Sequence, residues 1–360
     1  MATELGKKTM LRAFKQKKSP SMFLTGFFQS PEQNKFKSRK VVIDVKRNEE
    51  MIAVDVIRGS GGRLNINKRF TTKEYIPPMY DEYTSLFEEE LNERMPGRTE
   101  YDTDEYIAQA IAIITDDQVE NQEIILRAIE KQASDMFFTG TVVLLNNDTI
   151  DFKQKATHQI NAATVWSDSD NALPLDDLAG AAEVNRKDGK VDSDIIVMGE
   201  QALQEFFATA QVKDSANFRR INIMDIMPPS INVDGAAFHG QLTVGAYNMQ
   251  LWTYPQFYYV PMGYSLPNEG TLVPYVPTDK VLVTSSKARF DLVYAGVPDI
   301  IRRVDPRLQA IGLSGVPANV ATDFHPYTYL DDKINCVEAG TRSAPLCIPT
   351  QIDAYSVVTT

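Results

Sequence analysis

The chain has 360 residues, 43% hydrophobic and 24% charged, an ordinary balance for a packed protein that excludes disorder along its whole length. No apolar run reaches the ~20 residues that a membrane helix needs, and the two cysteines, Cys336 and Cys347, are too few for a disulfide framework or a zinc cluster and are expected as free thiols. The net charge of -11 is uneven: residues 1–47 hold twelve Lys or Arg against three acids, and the remainder holds 25 basic and 45 acidic residues.

That split argues against sequence-specific nucleic-acid recognition, because an acidic body repels phosphate. A basic leading stretch points instead to self-contact or to another polyanion. MATELGKKTMLRAFKQKK lacks the apolar centre of a signal peptide, and MFLTGFF is short and interrupted by Gly26, so synthesis in the cytosol is expected. Residues 1–38 show no period and read either as a flexible tail or as an arm that orders on a neighbour.

From Lys40 the alternation of KVVIDV and of Ile52, Val54 and Val56 predicts strands. Gly59, Gly61 and Gly62 mark a turn or loop tip, and KRFTTKEYIPP is an extended return that stops at the double proline. The glycines lack the following Lys-Ser or Lys-Thr of a phosphate loop. Tyr101–Ile114 reads as a short amphipathic helix opened by the capping pair Asp102 and Glu105. Thr115 and Gln118 repeat the capping spacing and open a second, long helix, Thr115–Phe138, about 36 Å at ~1.5 Å per residue. Its predicted stripe is Val119, Leu126, Ile129, Ala133 and Met136, with Glu123 and Arg127 paired and Gly140 as the stop. TVVLLNNDTIDF is a hairpin candidate.

WSDSDNALPLDDLAGAAE raises the question of whether its acids do chemistry. Pro174 suits the first turn of a helix, Asp176 and Asp177 suit its positive end, and Asp170 or Asn171 can end the loop. DIIVMGEQALQEFFA then reads as strand, glycine and helix, and the remaining chain is dense in strands. Asp168-Ser169-Asp170 and Asp192-Ser193-Asp194 carry oxygen ligands suited to magnesium or calcium, but a calcium loop from Asp168 finds Leu173 and Ala179 where it needs glycine and an acid. His158, His239 and His325 lack metal-ligand spacing, and Ser314 lacks the nucleophile-elbow spacing. No catalytic residue, cofactor motif or metal site stands out.

The order of these pieces resembles the major capsid proteins of lambda-like tailed phages, the gpE-type family. The resemblance rests on KRFTTKEYIPP after a glycine-tipped hairpin, FFTG before TVVLLNNDTIDF, WSDSDNALPLDDL, DIIVMGEQALQEF, YVPTDKVLVTSSKARFDLVYAGVPD and AYSVV, spread over residues 40–360. It implies an α+β protein of the Hong Kong 97-type phage capsid fold. The parts would be an N-terminal arm at 1–38, an E-loop at 39–78, a peripheral domain with a long spine helix at 79–154, an axial domain at 155–272 and returning peripheral strands at 273–360. The implied function is a structural, non-enzymatic subunit that self-assembles into an icosahedral head shell, in the virion, after synthesis in the host cytoplasm. Implied partners are other copies in pentamers and hexamers, packaged double-stranded DNA held without sequence specificity, and scaffold, portal and decoration proteins; no membrane is involved. Arg58, Arg63, Lys68 and Arg69 near the loop tip would meet Asp116, Asp117 and Glu120 on a neighbour's spine. An encapsulin-type compartment and a metal-dependent hydrolase built on the two Asp-x-Asp loops are the alternatives.

Overall fold

The computed structural model describes residues 19–45, 71–87, 106–144, 149–217, 224–231, 235–263, 267–301, 316–331 and 336–360. One helix, α1, runs unbroken over Tyr106–Thr139, 34 residues and roughly 51 Å at ~1.5 Å each. The predicted boundary at Thr115 is absent. Nothing in YIAQAIAIITDDQVENQ breaks a helix: it has neither glycine nor proline, and interior Thr and Asp cost only ~0.7 kcal/mol or less each. Thr115 and Gln118 are therefore interior residues, and Asp102 and Glu105 lie outside the described residues. Gly140 ends the helix at φ 68° as expected. The expected Arg127–Glu123 pair forms at 3.5 Å.

Burial along α1 is graded. Ile129, Ala133 and Met136 of the predicted stripe are buried, Leu126 is partly so, and Val119 is exposed. Ile125, Phe137 and Phe138 are buried instead. The far end of the helix is enclosed on more than one side, so a single stripe cannot describe it. Polar side chains fix it there. Asn121 donates to the Ala339 carbonyl at 3.2 Å, Gln132 donates to Tyr80 Oη at 3.0 Å and accepts from Cys347 N at 3.3 Å, and Ser134 donates to the Tyr275 carbonyl. These bonds tie the helix to a three-stranded sheet of Tyr80–Phe87, Cys336–Ser343 and His325–Asp331, and to the strand Pro345–Ile348.

A seven-stranded sheet forms the middle layer. Its order is Gln159–Asn161, Ser356–Thr359, Lys280–Thr284, Ile195–Met198, Tyr247–Thr253, Ala237–Val244 and Met224–Ile231. Strand side chains alternate between faces, and the two cores follow that alternation. Ile196, Met198, Val281, Val283 and Val358 pack with Trp166, Leu178 and Phe206, under helices α2 (Pro174–Gly189), α3 (Glu200–Ala208) and α4 (Ala210–Asn217). Val197, Leu282 and Val357 point the other way and join the core around α1. The sheet draws on residues 155–272 and also on Lys280–Thr284 and Ser356–Thr359. Met224–Ile231, with Pro228 and Pro229, is the outermost strand, where a missing amide donor is tolerated.

The helix-strand-helix reading of Pro174–Ala208 holds, with Gly199 at the junction. A Cβ on Gly199 would run into the Pro277 and Thr278 backbone. Gly199 N donates to the Lys280 carbonyl at 2.9 Å, so the two segments cannot part freely. Gly199→Ala is expected to destabilise by about 1–3 kcal/mol, as overpacking does. Scanning calorimetry checks this; an unchanged midpoint would show that the 277–278 turn can retreat.

Candidate assembly surfaces

Residues 19–38, read from sequence as a flexible tail or as an arm that orders on a neighbour, are docked on the body of their own chain. Phe23, Leu24, Phe27 and Phe28 enter the core around α1, and Phe28–Gln29 pairs in parallel with Phe290–Asp291. The segment holds two short 3-10 turns, Thr25–Phe27 and Glu32–Asn34, either side of the two-residue strand Phe28–Gln29, so it carries no period to read. Its anchor is Glu130, buried in the second half of α1. One carboxylate oxygen accepts Leu24 N at 2.7 Å, and the other accepts Thr25 N at 2.9 Å and the Thr25 hydroxyl. Burial pushes the Glu130 carboxyl above its usual range, and the bonds from Thr25 and Leu24 oppose that. Tyr254 stands beside it and donates to the Ser21 carbonyl at 3.1 Å; burial, then Glu130, raises its phenol. Sequence reasoning missed Glu130. The signal was an acid beside Ile129 within the stripe Leu126, Ile129, Ala133.

The long hairpin after residue 39 has its base in the structure: Val41–Val45 pairs antiparallel with Thr71–Tyr75, Val41 opposite Tyr75. Arg58, Arg63, Lys68 and Arg69 lie outside the described residues. Asp116, Asp117 and Glu120 share the first half of α1, with Asp116 exposed and the others half-buried. Val119 in the same half and Ile124 just past the midpoint expose apolar surface. The smaller hairpin is present as expected, Thr141–Val143 with Thr149–Asp151.

The acids of the tryptophan loop are structural. Trp166 is buried and donates its indole N–H to Asp177 Oδ2 at 2.9 Å. Pro174 opens α2 as predicted. Asp170 and Asn171 lie in the loop before that start, and the first turn is met by a distant element: Leu175 N donates to Gln211 Oε1 at 2.9 Å. Asp168 accepts from Asn171 at 3.0 Å, and that bond holds its carboxyl below the usual range. Asp192 pairs with Arg186 at 3.3 Å, and Asp194 accepts the Ser286 N–H at 2.6 Å and its hydroxyl. These acids hold turns and helix ends together. His158 is buried, its Nδ1 2.8 Å from the Tyr355 carbonyl and its Nε2 3.5 Å from Asp188. His239 reaches Thr253 Oγ1 at 2.8 Å, and burial lowers its pKa. Cys336 and Cys347 are buried and are not joined in a disulfide. Among the described residues no group of three His, Cys, Asp or Glu is placed to hold a metal ion, and no helix is long and apolar enough to cross a membrane.

Comparison with known proteins agrees with this architecture. The family model "Phage major capsid protein E" matches residues 7–359. No curated protein matches by sequence. Among solved structures, a protein described as a prophage capsid protein from E. coli CFT073 aligns over 94% of this chain and 93% of its own, with 14% identity and a TM-score of 0.61. A phage-related protein of Bordetella bronchiseptica RB50 aligns over 95% and 92%, with 9% identity and a TM-score of 0.48. The mixed α+β architecture is that of the Hong Kong 97-type capsid fold. The chain belongs to the phage major capsid protein E family, and it is a structural subunit of a capsid shell.

Proposed function

We propose that neighbouring subunits are joined by the hairpin that begins at Val41, laid over the solvent-facing side of α1 around Asp116 and Val119. The observation that carries this reading is the grading of that helix. Its later turns are buried and pinned on several sides, while the stretch 115–124 turns Asp116, Val119 and Ile124 to solvent. A helix stretch that shows acid and apolar surface together fits a partner bearing both basic and extended apolar chain. Residues 46–70 have that composition, with Arg58, Arg63, Lys68 and Arg69. In this reading residues 39–78 serve as the E-loop, 79–154 as the peripheral domain with its spine, 155–272 as the axial domain and 273–360 as returning strands shared between them. Subunits gather as pentamers and hexamers, singly weak contacts adding up through repetition.

The subunit works as a structural part of the virion and carries no catalytic role. It is made in the host cytoplasm and meets scaffold, portal and decoration proteins during assembly. Double-stranded DNA is the content of the shell. The 45 acids against 25 basic residues beyond position 47 support a wall along which DNA slides without sticking. Arg69→Glu is expected to leave the subunit folded and to cut the yield of particles, as charge reversal across an interface weakens association by about tenfold or more. Negative-stain microscopy and light scattering read the result. Adding Asp116→Lys should restore part of the yield; normal shells from Arg69→Glu alone would end the proposal.

A further inference from the structure

Residues 254–278 contain one charged residue, Glu269, in a chain that is 24% charged, and they hold six aromatics. The stretch folds as a two-stranded ribbon, Phe257–Tyr259 against Leu272–Pro274, with Tyr259 opposite Leu272 and Phe257 opposite Pro274. Residues directly opposite in a ladder share a face. The inner face seats Tyr258 on Tyr275, ring centroids 5.1 Å apart. The outer face exposes Phe257 by 52%, Tyr259 by 55% and Leu272 by 68%. Met262, beyond the first strand, also stands exposed and packs over Gly270. A two-stranded ribbon alone is marginal in water, and a charge-poor, aromatic face has the composition of an interface core. It offers no cation to a phosphate, so nucleic acid is a poor occupant.

We propose that the outer face of this ribbon is the seat of the chain's own first 18 residues. The described chain starts at Ser19, at the root of the ribbon. Ser21 accepts the Tyr254 hydroxyl at 3.1 Å, Phe23 stacks on Tyr254 at 5.4 Å, and Tyr254 stacks on Tyr275 at 5.7 Å. Ser21 lies on the inner side, so the segment must pass round the ribbon edge. Eighteen residues span up to roughly 60 Å extended or about 27 Å as a helix, ample for a ribbon about 10 Å thick. Met10, Leu11 and Phe14 have the sequence spacing of an apolar helical stripe, with six Lys or Arg and one acid among residues 1–18. The apolar face matches the ribbon, and the basic residues suit a chain that carries 45 acids against 25 basic residues beyond position 47.

The test is hydrogen–deuterium exchange on the full chain as dissociated subunit and as assembled particle, against the double variant Leu11→Asp, Phe14→Asp. The variant should speed exchange of the 257–259 and 272–274 amides about tenfold in the subunit, since losing the cover removes one interaction of about 1.4 kcal/mol. The Val357 amide, inside the central sheet, reports that the fold is intact. A synthetic peptide of residues 1–18 added to a chain lacking them should restore protection. Equal exchange in wild type and variant overturns the proposal. Protection that appears only in particles and ignores the variant also overturns it, and assigns the face to a second copy. Both outcomes are read apart from shell formation, which microscopy scores on the same samples.

Discussion

Replacing Phe137 by alanine is expected to lower the stability of the subunit by about 3–5 kcal/mol, the range for removing a large aromatic side chain from a packed core. Phe137 is fully buried near the end of α1, and four rings meet it: Phe290 at 5.1 Å, Phe28 and Tyr355 at 5.4 Å, and Phe27 at 6.0 Å. Those partners come from the N-terminal segment, from the strand after the central sheet and from the last strand's approach. One cavity would therefore loosen three remote parts of the chain from the same rod. Urea unfolding of the free subunit measures the loss. Phe137→Leu should recover part of it, because a smaller void remains. A loss under about 1 kcal/mol would mean that the surrounding rings collapse into the space and that the cluster is not where the elements are joined.

Glu130→Ala is expected to release the N-terminal segment without unfolding the body. Removing the carboxylate leaves Leu24 N, Thr25 N and the Thr25 hydroxyl without their acceptor. Each buried donor left unsatisfied costs about 1–3 kcal/mol, and the segment can avoid that only by leaving. Limited proteolysis should then cut between residues 19 and 38 at least tenfold faster, an opening change of about 1.4 kcal/mol or more, with the seven-stranded sheet still protected. Unchanged cleavage would show that Phe23, Phe27 and Phe28 hold the segment unaided. The pH dependence has a defined sign. The folded Glu130 pKa lies above the ordinary glutamate value of 4.5 because burial outweighs its hydrogen bonds. Its contribution is therefore fully present below 4.5 and is lost as pH rises through the folded pKa. Wild type should gain stability relative to Glu130→Gln on acidification through that window. The groups facing it, Tyr254, Tyr275 and Cys347, all have their pKa raised and stay neutral there. A difference between the two proteins that falls on acidification would refute the assignment.

The parts of the fold legible in the sequence were those written in local chemistry. The hairpin base at Val41–Tyr75, the stop at Gly140, the start at Pro174 and the strand-glycine-helix of Asp194–Ala208 each follow from neighbouring residues. The parts not legible depend on distant ones. Thr115-x-x-Gln118 has the letters of a helix start, but a helix already running through it does not stop without a breaker. Leu175 N is capped by Gln211, 36 residues away, which no local rule could supply. Residues 19–38 looked unstructured because their order comes from α1 and from the strand Phe290–Tyr294 and not from a repeat of their own. Of the candidate contact residues, the acids stand on the first half of α1, while the four basic ones lie outside the described residues.

Strand pairings in two sheets join segments that are far apart along the chain. Gln159 is registered with Val357 and Phe28 with Phe290. Closing such long loops precedes any energetic return, so acquisition of the native state is expected to take milliseconds to seconds or longer, at the slow end for its size. Until then, unpaired strand borders are open to promiscuous association with other immature molecules. Production yield is thus expected to be limited by that race, with cooler induction or chaperone supply raising the soluble fraction even though the finished particle gains nothing from either.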